Sequence, residues 1–348
     1  MKNGYDHSIM STFSALVRSQ RLGCLAFILF LMAAMPLHAQ TCLTADDMDA
    51  AAKSALTATA KNYFAMAARG DSPSLRQNAI PSLAADFSSV ETAVSDHKAD
   101  FATAQANPRP PFLLKAEGTS PLARAEFLCG VFGANGQTAD SAEFVIPNLP
   151  PGEYGIVILD VPTAKQPYTV SFVLQREGTA WKLGGFFVKE TQTNGHDGNW
   201  FASQARSFKA KGQTHNAWLY FVQARDLISP VPFMYTLRSD KLYEEAQPVK
   251  PADLPSNGAP VGLAANGKTY KLTAVFPLLV AKDLDLVVKY DSPDVSDTTK
   301  TFQDNMAVMK ALVAKFPELR DAFSGVVARA VEPSGRDYGS LLSMKDIK

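Results

Sequence analysis

The sequence predicts an α+β protein: helices packed on an antiparallel sheet, then a helical hairpin, then a small ββαββ module. Three observations carry that expectation. Apolar residues recur at three- and four-residue spacing from Met48 to Val94, and they alternate with polar ones from Ala123 into the 180s. After residue 193 a second helical stripe is followed by a second set of alternating strands. The 348 residues are 46% hydrophobic and 20% charged, the composition of a folded chain and not of a disordered one.

Residues 1–39 read as a leader. Arg18 and Arg21 precede the apolar run Leu22 to Met35, and Pro36-Leu37-His38-Ala39 ends in small-residue cleavage chemistry, the order of a signal peptide. The run holds about 14 residues, short of the ~20 that a helix needs to span a bilayer. A retained anchor is the weaker reading. Cleavage is expected after Ala39, with a periplasmic or secreted mature chain. Cys42 does not read as a lipidation site, because Ala39-Gln40-Thr41 lacks the Leu-small-small approach. Without Lys2, Arg18, Arg21 and Asp6 the net charge falls from zero to −2. No basic stripe is present, so nucleic acid is not an expected partner, and no second apolar stretch is long enough to cross a membrane.

Loss of Cys24 with the leader leaves Cys42 and Cys129, an even pair that reads as a disulfide in an oxidising compartment. A loop of about 90 residues closed in this way is worth roughly 4–5 kcal/mol in the chain-entropy model. The bland alternative is a packed Cys129 and a frayed Cys42.

Residues 40–192 form the first segment. Met48, Ala52, Ala55, Leu56, Thr59, Tyr63, Met66 and Ala67 lie on one helix face, and Gly70 stands as the C-terminal cap. Leu75, Ala79, Ile80 and Leu83, then Phe87, Val90 and Val94, mark a second helical zone that Pro81 divides. Pro108-Arg109-Pro110-Pro111 closes the helical part. Ala123, Ala125, Phe127, Cys129 and Val131 then alternate as a half-buried strand, with Arg124 and Glu126 on the opposite face. Phe144 to Ile146 and Tyr154 to Val161 flank the turn Pro147-Asn148-Leu149-Pro150-Pro151-Gly152, and two further strands, Tyr168 to Gln175 and Trp181 to Lys189, continue an antiparallel meander.

The helix ending Ala68-Arg69-Gly70-Asp71, the helix near Leu75 and the hairpin ending Trp181-Lys182-Leu183 make residues 46–190 resemble the nuclear-transport-factor-2-like, cone-shaped α+β superfamily. The Leu149-Pro150-Pro151-Gly152-Glu153-Tyr154 turn is also similar to the hairpin of carboxypeptidase-regulatory-type β-sandwich domains. The cone resemblance implies a concave apolar pocket, for which Tyr154, Phe172, Trp181 and Phe187 are the candidate lining; core packing is the competing role for the same rings. Phe186 and Phe187 point to opposite faces, and the helix Trp200–Phe208 is the expected cover for the one that faces away from the helices.

Residues 193–248 are helical. Phe201, Ala205, Phe208, Gly212, Ala217, Phe221 and Ala224 follow the spacing of one tetratricopeptide-like helical pair, with Pro230 past its end. No second copy follows, so the pair is expected to pack on its neighbours. A linker spans 249–264. Residues 265–348 read strand, strand, helix, strand, strand: Tyr270 to Phe276, Leu284 to Tyr290, the stripe Phe302, Met306, Met309, Val313 and Phe316, then Gly325 to Val331 and Tyr338 to Met344. As a whole the chain resembles a secreted bacterial protein.

Chemistry-bearing motifs are scarce. No Gly-x-Ser-x-Gly elbow, phosphate loop or dinucleotide fingerprint occurs, so no catalytic residue and no cofactor is expected. His97, with Asp96 and Asp100, reads as a solvated helix face. His196, Asp197 and His215 make a thin metal set, and an Asp-Gly-Asn cap on the Trp200 helix accounts for the first two, so no metal is expected. Asp283 and Asp285 are expected to face solvent. The favoured reading is an exported, non-enzymatic protein that binds a protein partner or a small apolar ligand. The alternative is a small-molecule lyase, isomerase or hydrolase in the cone pocket, with an acid–base group drawn from His97, Glu143 or Asp160.

Overall fold

The computed structural model describes residues 40–131, 136, 138, 140–256, 258–280 and 283–348; the expected leader lies outside them. The fold is α+β. Helix α1, Ala50–Arg69, begins where the Asp49 carboxylate accepts from the Ala52 N–H at 2.7 Å, and ends at Gly70, whose φ of 73° is the left-handed cap that the sequence signals. Its buried stripe includes Leu56, Tyr63 and Phe64. Then come α2, Ser72–Gln77, α3, Pro81–Ala85, and α4, Ser88–Phe101. Pro81 opens α3, as its missing N–H allows only at a helix start.

Eight strands follow or flank these helices: β1, Gln40–Leu43; β2, Asn107–Pro108; β3, Phe112–Ala116; β4, Leu122–Cys129; β5, Ala142–Leu149; β6, Gly152–Val161; β7, Tyr168–Glu177; and β8, Ala180–Glu190. They do not make one meander. The main sheet runs β1-β3-β6-β7-β8, with β2 on the end of β6. A second sheet contains β4, β5 and β11, Met234–Thr236. The proline-rich turn after β5 therefore carries the chain from one sheet to the other, where the sequence suggested a hairpin. The Tyr154 hydroxyl pins that turn by donating to the Pro150 carbonyl at 2.7 Å.

The main sheet is covered on both faces, which explains why β6 and β7 are buried almost continuously and not alternately. Leu159, Val170, Phe172 and Leu174 pack under the helices. Leu114, Ile156 and Ile158 face the second sheet and meet Phe127 and Phe144. Gly155 lets α1 approach the first face closely, since a Cβ there would collide with Leu56 Cδ2. Cys42 on β1 and Cys129 on β4 form a disulfide across the two sheets, with Cα atoms 5.1 Å apart and a sequence separation of 87.

Two short strands, β9, Gln192–Thr193, and β10, His196–Asp197, lead into α5, Gly198–Ala210, and α6, Thr214–Ile228. Helix α7, Leu237–Ala246, follows β11 and carries a Thr236–Ser239 capping box. The third sheet has the order β12-β13-β14-β15-β16: Val261–Ala265, Lys268–Val280, Asp283–Asp291, Gly325–Val331 and Asp337–Ser343. Thus β12 already occupies the end of the stretch expected as linker, in which Leu254 is also buried. Helix α8, Thr298–Lys315, is the crossover that makes β14 and β15 parallel. The lone helical pair buries its face here: Phe201, Tyr220 and Phe221 share one core with Leu272, Tyr290 and Phe323. Of the expected α8 stripe, Met309, Val313 and Phe316 are buried, but Phe302 is 47% exposed, and Thr301, Asn305, Val308 and Leu312 widen the buried face.

Candidate functional site

The four aromatic residues expected around one pocket fall into two separate cores. Phe172 and Trp181 lie on the helix-covered side, the former within 6.2 Å of the Tyr63 ring, the latter accepting at its carbonyl from the Tyr63 hydroxyl at 2.8 Å. Tyr154 and Phe187 lie on the side of the second sheet. The alternation of β6, β7 and β8 separates them. Phe187 is covered by Phe233, with ring centroids 5.6 Å apart, and not by the Trp200–Phe208 helix.

Among the histidines His97 differs from expectation, whereas the cap expected beside His196 is present. His97 packs on Phe101 at 5.4 Å and Tyr168 at 5.1 Å, and its Nδ1 is buried with no partner among the described residues, so it is not a simple solvated group. His196 stacks on Trp200 at 3.8 Å, and the Asp197 carboxylate caps α5 through the Trp200 N–H at 2.9 Å. His215 lies elsewhere, its Nδ1 2.6 Å from Glu318 Oε1 and its Nε2 2.9 Å from Asp253 Oδ1. Among the described residues no group of three His, Cys, Asp or Glu side chains is placed to hold a metal ion.

Of the two aspartates expected to face solvent, one does. Asp283 is exposed, but Asp285 is only 3% exposed, and burial pushes its carboxyl up, helped by the charge of Asp283. Burial likewise raises Glu143, followed by the charges of Glu126 and Asp240. Asp160 is tied to Arg109, whose Nη2 lies 2.7 Å from Oδ1 and whose Nε sits 3.1 Å from both oxygens.

A cleft with the dimensions of a ligand site, and with a lining more apolar than polar, lies beside that ion pair. It measures about 470 Å³, within the range of small-molecule pockets. Segments far apart in sequence build it, with Gly130 and Ser141 from the β4–β5 connection among the lining. The turn after β1 is held by the Thr44 N–H and hydroxyl on Asp47 Oδ2 at 3.0 and 2.6 Å, bonds that keep the Asp47 carboxyl below the usual range. The segment Arg109 to Phe112, stiffened by Pro110 and Pro111, docks through the Arg109 N–H on the Ile158 carbonyl at 2.8 Å. The third side is Met234 and Thr236 of β11. Phe112, Ile158 and Met234 supply an apolar wall, and Arg109 with Lys53 and Asp46 a charged rim. The disulfide joins β1 to the β4 end beside this cleft and sets Thr44 against Gly130, both of which line it. Only the proline run gave a local signal; the rest is convergence of residues far apart in sequence.

No helix among the described residues is long and apolar enough to cross a membrane. Comparison of the chain with protein-family models, with curated proteins and with solved structures finds no match.

Proposed function

We propose that the chain is an exported, non-enzymatic binding protein that holds a small, largely apolar ligand in the cleft between Phe112, Ile158 and Met234. The observation that supports this most is the cleft itself: about 470 Å³, an apolar wall, and one arginine whose guanidinium is already oriented by Asp160. The disulfide is consistent with an oxidising compartment, where a leader on residues 1–39 would deliver the chain.

The test is a fluorescence titration with 1-anilinonaphthalene-8-sulfonate, an apolar ring system bearing one negative charge. Saturable binding to the folded protein is expected. Met234→Trp, which fills the cleft, should weaken it about ten-fold or more, and Phe112→Ala should weaken it by a smaller factor. Equal binding by both variants and the parent would remove this cleft as the site.

A further inference from the structure

We infer that the uncovered face of the C-terminal sheet is a dimer interface, on which a second copy of this chain packs about a two-fold axis. It stands independently of the cleft and its ligand.

The third sheet has two faces, and α8 covers one of them. Leu286, Val288 and Tyr290 of β14, with Val326, Ala328 and Ala330 of β15, share a core with α8 on that side. The residues between them point the other way. A sheet face left to water usually alternates polar residues with the buried ones of its opposite side. This face does not. Phe276, Val287, Val327 and Leu341 are register partners across β13, β14, β15 and β16, and they form one apolar row four strands wide. None of the four belongs to any of the three cores formed by the described residues. Val287, inside the row, is buried, and Phe276 and Val327 are half-buried. Leu341 at the sheet edge is 52% exposed, and Leu278, two residues from Phe276 on the same face, is 45% exposed.

The charges that bracket this row point to a second copy as its occupant. On one side of the row lie Lys289 and Arg329, which are register partners. On the other lies Asp285, the partner of Leu278, with Asp283 two residues beyond. Asp285 Oδ1 and Leu341 Cδ1 both sit over Gly325, so the carboxylate and the apolar row share one face. The ion pairs of this module, Lys271–Asp291 and Arg329–Asp337 among them, leave Lys289, Asp283 and Asp285 without a partner among the described residues. Lys289 instead holds its Nζ 5.8 Å from the centre of the Phe276 ring. A two-fold axis lying along the apolar row turns a second copy over onto the first with its strands reversed. Each apolar row then meets its counterpart, and the Lys289 end of each copy meets the Asp283–Asp285 end of the other. An axis parallel to the strands would set like charges together. The face is therefore complementary to itself, as an isologous interface requires. Two such faces packed about 10 Å apart remove Leu278 and Leu341 from water.

The experiment is sedimentation velocity of the full oxidised chain over a range of concentrations. A species of twice the chain mass is expected at about 100 μM, dissociating on dilution. Leu341→Lys changes an exposed position and should leave the chain monomeric at that concentration, with the circular dichroism spectrum of the parent. Leu341→Ser, a milder change at the same place, should weaken the dimer by a smaller factor. Lys289→Glu and Asp283→Lys should each weaken dimerisation about ten-fold. The protein carrying both changes should recover most of that loss, because the two-fold axis pairs the exchanged charges with each other. A chain that stays monomeric at every concentration, a dimer that both Leu341 variants leave unchanged, or no recovery in the doubly exchanged protein overturns the proposal.

Discussion

Asp304 shows how the C-terminal module uses single charges. Its carboxylate accepts from the Tyr270 hydroxyl at 2.6 Å and from Lys268 and Lys300 at 3.0 and 3.1 Å. Burial pushes this carboxyl up, but the three donors outweigh it and bring it down to about 2. A carboxyl lowered on folding stabilises the native state above its unfolded value, and that contribution disappears as pH falls through the folded value. Asp304→Asn is therefore expected to cost about 2 kcal/mol at pH 6. The difference should shrink from pH 4 downward and approach zero only below pH 2, as measured by urea unfolding across that range. His215 makes a related contact between α6 and the segments carrying Asp253 and Glu318, three positions that no local pattern links.

Among the elements, β6 meets α1 at Gly155, where a Cβ has no room beside Leu56. Gly155→Val should destabilise the protein by about 1–3 kcal/mol through overpacking against α1. Leu56→Ala in the same chain should return part of that loss, and a double-mutant cycle by chemical denaturation measures the coupling. Helix ends were legible in the sequence where their signals are local: Gly70 for the end of α1, Pro81 for the break before α3. Strand existence was legible from alternation. Strand partners were not, because the turn Pro147 to Gly152 has the same chemistry whether it returns the chain to its own sheet or sends it to another. The pocket residues failed for a related reason. Aromatic residues crowded on one sheet do not say which face each occupies when both faces are covered, and the cleft that did form draws on Phe112 and Met234, more than a hundred residues apart.

At the scale of the whole molecule, two cores flank the main sheet and a third joins the helical pair to the C-terminal sheet. The Cys42–Cys129 bridge lies at the core between the main and second sheets and ties those two sheets together. Replacing both cysteines by serine should lower stability by about 2–4 kcal/mol, seen as a drop in Tm that a reducing agent reproduces in the parent protein. The denatured, unreduced chain beginning at Gln40 should show no reactive thiol, since Cys24 precedes it and both remaining cysteines are bridged.

That bridge also has a mechanical consequence. Force applied to the two ends of the oxidised chain bypasses everything between Cys42 and Cys129, because the covalent path runs through sulfur. The 87-residue separation is hidden from extension. A fully stretched oxidised molecule should be shorter than its reduced form by about 30 nm, and the helices α1 to α4 should bear load only after the bond is broken.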